Sequence, residues 1–238
     1  MNQKFRVSFS GGKDSTAMLF MLLEKNRPVD SVDFLDTGYE YPEVYQFLDR
    51  VDKRLSLYDK KINYVFLKPE WRFLKWFYAP WTKGKLKGEM RGYPQTTTPC
   101  YLSRQKGRTL DRLDKEAFRY IGIGYNEKHR VTNNPLLIYP LVDWKVTEDE
   151  CISYLKEIDL YPKHNRFYNR NGCYWCPKQP IKSLRSLYIR HPKRWAQMKV
   201  WEAESPHGFH ADRKLKELEA RFIKEIESGK IDLDYYKD

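Results

Sequence analysis

Six consecutive residues constrain this chain more than anything else in it: Ser10-Gly11-Gly12-Lys13-Asp14-Ser15. A β-prone run, Lys4 to Phe9, leads straight into them, and a helical pattern over Asp14 to Lys25 follows. The order is strand, glycine turn, helix. Adjacent glycines let the backbone take positive φ and approach another group closely. The first amides of a helix have no partner inside it, and the helix dipole adds roughly half a positive charge there. Those two facts make a helix start of this kind an anion site. The hydroxyls of Ser10 and Ser15 can donate to phosphate oxygens, and Lys13 can neutralise phosphate charge. The spacing is neither G-x-x-x-x-G-K-S/T nor G-x-G-x-x-G. A plain strand-to-helix turn is the alternative; the hexapeptide predicts a phosphate-holding loop.

Four further apolar runs read as strands: Ser31 to Leu35, Ile62 to Leu67, Tyr120 to Gly124 and Leu137 to Leu141, with a second helix over Pro42 to Leu57. Strands alternating with helices predict crossover units and a parallel sheet buried on both faces. The expected fold class is α/β, a doubly wound parallel five-stranded sheet with a helical C-terminal extension. The expected division is 1–145 for the sheet domain and 146–238 for the helical region. Thr147-Glu148-Asp149-Glu150 has the form of a capping box, and Asp212 to Glu227 reads as a charged terminal helix.

The chain has 238 residues and a net charge of +12, from 44 Lys and Arg against 32 Asp and Glu. Such an excess favours polyanions as partners. It is concentrated where Trp71 to Tyr93 interleaves aromatics with Arg72, Lys75, Lys83, Lys85, Lys87 and Arg91. Aromatics can stack on unpaired bases while the cations hold phosphates; the other reading is a core of aromatics with solvated lysines. Lys182, Arg185, Arg190, Lys193 and Arg194 could extend that path. No run reaches the roughly 20 apolar residues of a membrane span, and Met1 to Phe9 lacks a signal-peptide core. The expectation is a cytoplasmic protein with no membrane partner.

Cys100, Cys151, Cys173 and Cys176 are the cysteines. In a cytosolic chain Cys173-Tyr174-Trp175-Cys176 reads as metal, cluster or redox chemistry, with the aromatic pair as a shield from water. Cys100 stands at an expected helix start near Arg104, Lys106 and Arg108, surroundings that favour thiolate. Cys151 reads as a buried thiol or a fourth ligand. Zinc, with His164 as a fourth ligand, is the alternative metal.

The hexapeptide resembles the S-G-G-x-D-S signature of the adenine-nucleotide pyrophosphatase (PP-loop, adenine nucleotide alpha hydrolase-like) superfamily. Asp36-Thr37-Gly38-Tyr39-Glu40-Tyr41-Pro42-Glu43 resembles the D-T-G-x-E-F/Y-P-E segment of its phosphoadenosine phosphosulfate (PAPS) reductase-like branch. Gly122-Ile123-Gly124 with Glu127 and Arg130, and Pro140-Leu141-Val142-Asp143-Trp144, resemble two more of that branch's segments. Two departures stand out: Tyr125 replaces an arginine, and Lys128-His129 alters a serine position.

The resemblance implies a Rossmann-like fold, ATP and magnesium. It implies nucleotide contacts at Ser10, Gly11, Gly12, Lys13, Asp14, Ser15, Asp36, Thr37, Gly38, Gly124 and Arg130; Asp36 could instead cap the next helix. Lys13, Asp14 and Cys100 are the implied catalytic residues. Cys100, Cys173 and Cys176 are the implied ligands of an iron–sulfur (4Fe-4S) cluster, with Tyr101 where the branch's iron–sulfur members have a tandem cysteine. Three thiolates would leave one iron open for an exogenous sulfide. The partners this implies are an adenine nucleotide, nucleic acid (RNA ahead of DNA) and a protein donating sulfur or electrons; a homodimer is left open.

Three functions follow. The first is an ATP-dependent adenylating sulfurtransferase acting on nucleic acid. The second is a sulfonucleotide reductase, which needs a cysteine nucleophile that the branch carries near its C-terminus; no cysteine follows Cys176 here, so Cys100 or Cys151 would have to serve unless the chain is truncated. The third is a nucleotide- or nucleic-acid-binding module with structural zinc.

Overall fold

Phe5–Phe9 (β1) is a strand, and it lies at the centre of a five-stranded sheet in a computed structural model that describes residues 3–97, 99–169 and 171–237. The elements after it are α1 (Lys13–Glu24), β2 (Ser31–Asp36), α2 (Pro42–Leu55), β3 (Ile62–Phe66), α3 (Phe73–Phe77) and α4 (Tyr101–Leu113). They continue with β4 (Phe118–Ile121), β5 (Leu137–Ile138), α5 (Pro140–Asp143), α6 (Glu148–Glu157), α7 (Ile181–Arg190), α8 (Pro192–Glu204) and α9 (Leu215–Glu227). The sheet order is β3-β2-β1-β4-β5, and every pairing is parallel. This is the doubly wound α/β arrangement expected, with its reversal of strand order between β1 and β4. Ligands bind at such a reversal, beyond the carboxyl ends of the strands.

Two compact units divide the chain: Met1–Leu67 with Lys106–Asn165, and Lys68–Gln105 with Arg166–Asp238. The division differs from the expected one at residue 145. Helix α6 packs along α1 and so belongs with the sheet, whereas 68–105 leaves the sheet unit altogether.

In the first unit α1 is buried almost all round, from Ser15 through Leu23 apart from the half-buried Met21. A helix apolar on every side must sit inside its unit. The sheet also holds a charge: Arg6 grips the buried Asp33 through two nitrogens at 2.7 and 2.8 Å, and Ser31 and Asn63 donate to the same carboxylate. Four donors satisfy it, which is the condition for tolerating a buried carboxylate.

The second unit is built around aromatics. Phe73 stacks on Trp175 with ring centres 3.7 Å apart, and Tyr93, Trp201, Phe209, Trp195 and Phe222 are buried in the same unit. The hydroxyl of Tyr93 donates to the Met198 carbonyl at 3.1 Å, so this large polar side chain is satisfied where it is buried. Among the described residues no helix is long and apolar enough to cross a membrane.

Candidate functional site

The chain leaves β1 at Ser10, turns through Gly11 at φ +69°, and enters α1 after Gly12. The loop is closed by its own hydrogen bonds. Ser10 Oγ and Ser15 Oγ lie 2.9 Å apart; Ser15 Oγ donates to the Gly12 carbonyl at 3.1 Å, and the Gly12 amide donates to Ser10 Oγ at 3.3 Å. Thr16 Oγ1 also donates to the Gly12 carbonyl, at 2.8 Å. Ser15 is buried, and its hydroxyl holds the loop in shape. No side chain caps α1, so its first-turn amides are left facing outward for an anion.

Lys13 does not stand alone. Its Nζ is 3.0 Å from Glu148 Oε1 and 3.5 Å from Asp14 Oδ2. Burial pulls its pKa down, but the bond to Glu148 and the charges of Asp14 and Glu148 outweigh this and leave it above the ordinary lysine value. Asp14 moves up, chiefly by burial, aided by Glu148 and Glu127 and opposed by Lys13. Its Oδ1 is buried and accepts no hydrogen bond. Glu148 is the first residue of α6, just after Thr147, whose hydroxyl and amide form the expected capping box with Glu150. The Glu148 amide donates to Asn126 Oδ1 at 3.2 Å, which ties α6 to the turn after β4.

That turn carries the two glycines singled out from the sequence. A Cβ on Gly122 would fall 2.8 Å from Ser15 Cα and 2.9 Å from Ser15 N, so β4 ends pressed against the loop backbone. One on Gly124 would fall 3.0 Å from Asn126 Oδ1 and 3.5 Å from the Glu148 amide. Arg130 is half spent: it pairs with Glu127 at 2.6 Å on the exposed side of the turn.

At the end of β2, Asp36 accepts from the Gly38 amide at 2.6 Å and from the Tyr45 hydroxyl at 2.7 Å. It closes a turn through Gly38, φ +77°, and does not cap α2, which starts without a side-chain cap. Burial, and the bond to Asp36 after it, raise the Tyr45 phenol's pKa, so it stays a donor. Thr37 donates to the buried Glu40 at 3.1 Å, and Lys106 pairs with the same carboxylate at 3.3 Å. Glu148, Tyr45, Glu40 and Lys106 are contributors that spacing alone did not reveal.

The four cysteines are thiols and not disulfides. Cys151 is buried on α6, and burial, with the nearby Asp14 charge second, pushes its thiol up to about 12. It is a packed side chain, unfit as a thiolate. Cys173 and Cys176 share a turn closed by the Cys176 amide on the Cys173 carbonyl at 3.0 Å. The aromatic pair between them is an anchor more than a shield: Trp175 is buried against Phe73, and Tyr174 lies under Arg194 at 4.6 Å. Cys100 immediately precedes α4, as expected. Among the described residues no three His, Cys, Asp or Glu side chains are grouped to hold a metal ion. The cysteine turn offers two ligands, and Cys100 is not grouped with them, so the residues as placed do not complete a set for a 4Fe-4S cluster or for zinc. His164 is buried edge-on against Phe47 at 5.7 Å, in the sheet unit. Three of the later basic residues are also used internally: Arg185 pairs with Glu225, Arg190 lies over Phe167, and Arg194 over Tyr174.

Residues 4–83, which contain the loop, β2 and the Asp36 turn, match the family described as the phosphoadenosine phosphosulfate reductase domain. Over that stretch, about a third of its length, the chain is similar to PAPS reductase domains. Over 83% of its length the chain is 26% identical to an uncharacterized protein of Methanocaldococcus jannaschii, of which it spans 48%. A second protein of that organism is 25% identical over 82% of the chain, which spans 40% of it. The chain therefore covers half or less of these two relatives. It is also 26% identical, over 69% of its length, to an adenosine 5'-phosphosulfate reductase of Halalkalibacterium halodurans, 70% of which is covered. Among solved structures it is similar to the U34-tRNA thiolase NcsA of Methanococcus maripaludis with its 4Fe-4S cluster, at 16% identity and a TM-score of 0.43, covering 95% of this chain and 72% of that one.

Proposed function

We propose that this chain binds ATP at the Ser10–Ser15 loop and adenylates an acceptor oxygen, with sulfur transfer to a nucleic acid, RNA ahead of DNA, as the overall reaction. The observation that carries the reading is the loop itself: uncapped amides, Lys13 and a buried Asp14 oxygen converge beyond the end of β1, where the strand order reverses. In the first step an acceptor carbonyl oxygen attacks the α-phosphorus, and the bond to the β-phosphate oxygen breaks. Pyrophosphate leaves with that electron pair. The α1 amides and Lys13 hold the negative oxygens in place, a preorganised electrostatic role. Magnesium arriving with the triphosphate would find Asp14 Oδ1 free to accept it and would spread the charge developing on phosphate. In the second step a sulfide sulfur from a donor protein attacks the activated carbon, and AMP leaves. No step passes through a metal cluster.

A second reading, reduction of a sulfonucleotide to sulfite, is favoured by the reductase names of several relatives. It requires a thiolate on the sulfate sulfur. Cys151, on the helix that brings Glu148 to the loop, is poorly suited to that role, because it is fully buried and burial raises its thiol's pKa.

The test supplies ATP with RNA in one reaction and a sulfonucleotide with a dithiol in another. RNA-dependent pyrophosphate release is expected from the first. Sulfite from the second, with no pyrophosphate from the first, would sink adenylation. Iron and sulfide analysis of anaerobically purified protein runs beside it. Stoichiometric iron and sulfide would require Cys100 to join the Cys173–Cys176 turn, and zinc without iron would rule out sulfide carried on iron.

Glu148 gives a finer check. It competes with phosphate for Lys13, and half-exposed ion pairs of this kind are worth about 0.2–1 kcal/mol. Glu148→Gln should therefore tighten ATP binding by about 1.4- to fivefold at low salt, read by titration calorimetry. Weaker binding would mean that Glu148 serves the nucleotide directly.

A further inference from the structure

Between α3 and α4 the second unit carries a loop that the proposed chemistry does not use. Its backbone is stapled. The Trp81 amide donates to the Glu89 carbonyl at 2.9 Å, Gly88 to Trp81 at 2.9 Å, Lys87 to Gly84 at 3.2 Å, and Arg91 to Ala79 at 3.1 Å. Gly84 and Gly88 make the bends at φ +80° and +92°. Every residue from Thr82 to Glu89 is exposed, Lys83, Lys85 and Lys87 among them.

The same loop also carries aromatics, held by Arg91. The Arg91 guanidinium carbon lies 5.6 Å from the ring centres of both Trp76 and Trp81. Trp76 stacks on Tyr101 at 4.1 Å with the rings 3° from parallel. Trp81 keeps part of its surface open to solvent.

The charge balance is what needs a partner. Among the described residues no carboxylate pairs with Lys83, Lys85, Lys87 or Arg91. Four cations stand against one carboxylate, Glu89, on the twelve residues 80–91; Arg91 is used against the two indoles, and the three exposed lysines, held by a hydrogen-bonded backbone, repel one another. By contrast, Arg185 in the same unit has its carboxylate. Ordered, uncompensated cations beside a partly open indole fit a chain of phosphates with a base free to stack.

We infer that the 80–91 loop is a contact surface for single-stranded RNA, the lysines on phosphates and the Trp81 ring under an unpaired base. The inference deepens the proposed function, resting on its choice of acceptor, and is tested without ATP. A labelled, unstructured RNA of about 15 nucleotides is titrated with the full chain by fluorescence anisotropy at several salt concentrations. Replacing Lys83, Lys85 and Lys87 together with alanine touches only exposed side chains. It should flatten the log–log salt dependence by about 2, three phosphates at roughly 0.7 each for a single strand. Trp81→Ala should weaken binding about five- to hundredfold and leave that slope unchanged.

An unchanged affinity and slope in the triple variant would overturn the inference, as would equal binding of duplex RNA of the same length. Failure of the two readings is distinguishable. RNA held through the loop with no pyrophosphate released keeps the surface and sinks the adenylation. Pyrophosphate released onto a small acceptor, with no RNA bound, does the reverse.

Discussion

Gly122→Ala is expected to abolish tight nucleotide binding while leaving most of the sheet unit folded. The new Cβ would meet Ser15 Cα at 2.8 Å, Ser15 N at 2.9 Å and the Asp14 carbonyl carbon at 3.2 Å. All three are backbone atoms at the start of α1, so no side chain can swing aside. Overpacking of this kind costs about 1–3 kcal/mol. The larger effect falls on the loop: to relieve the contact the helix start must shift, and a misplacement of about 1 Å can cost on the order of a hundredfold. Titration calorimetry with ATP, beside a thermal melt, reads both. Gly107→Ala is the control. Gly107 lies in α4 with open space around it, and alanine there should stabilise the helix by about 0.5–1 kcal/mol and leave ATP affinity unchanged. Normal ATP affinity in Gly122→Ala would refute the placement of the nucleotide on this loop.

Trp175→Ala should have the largest effect on stability. The ring is 1% exposed and stacked on Phe73 at 3.7 Å. Removing a buried indole costs about 3–5 kcal/mol, or roughly 6–20 °C in melting temperature for a chain of this size. The Cys173–Cys176 turn should loosen with it, because Trp175 is one of the residues that anchor it, beside Gln179, which donates to the Cys173 and Tyr174 carbonyls. Faster alkylation of Cys173 and Cys176 in the variant, under conditions where the Cys100 rate is unchanged, would show that. A melting temperature within a degree or two of the parent would mean that the stack contributes little.

The strand, glycine turn and helix start at Ser10–Ser15 were legible because their geometry is local. Two glycines, a lysine and a helix start within six residues leave few other uses for the segment. The same holds for the Thr147 capping box, which needs only residues three apart. Strand ends were less legible. The fourth strand, expected over Tyr120 to Gly124, occupies Phe118–Ile121, because Gly122 leaves the sheet to meet Ser15. The fifth, expected to reach Leu141, stops at Ile138, because Pro140 opens α5. The terminal helix begins at Leu215, not Asp212.

What the sequence hid was everything that joins distant positions. Glu148 read as one acidic residue among three at a helix start, yet it pairs with Lys13, far away in the chain. Arg130 matched a nucleotide-contact position, and in the folded chain its nearest carboxylate, Glu127, claims it. The interior role of Trp175 depends on Phe73, which no window around the cysteines contains.

The second unit is assembled from two stretches, Lys68–Gln105 and Arg166–Asp238, with part of the sheet unit made between them. A ribosome adds roughly 5–20 residues each second, so the first stretch emerges on the order of several seconds before its other half. During that interval Phe73, Phe77 and Tyr93 have no interior to enter. Newly made chain should therefore be at its most chaperone-dependent and protease-sensitive around residues 70–95, and slowing translation across the intervening segment should lengthen that exposure.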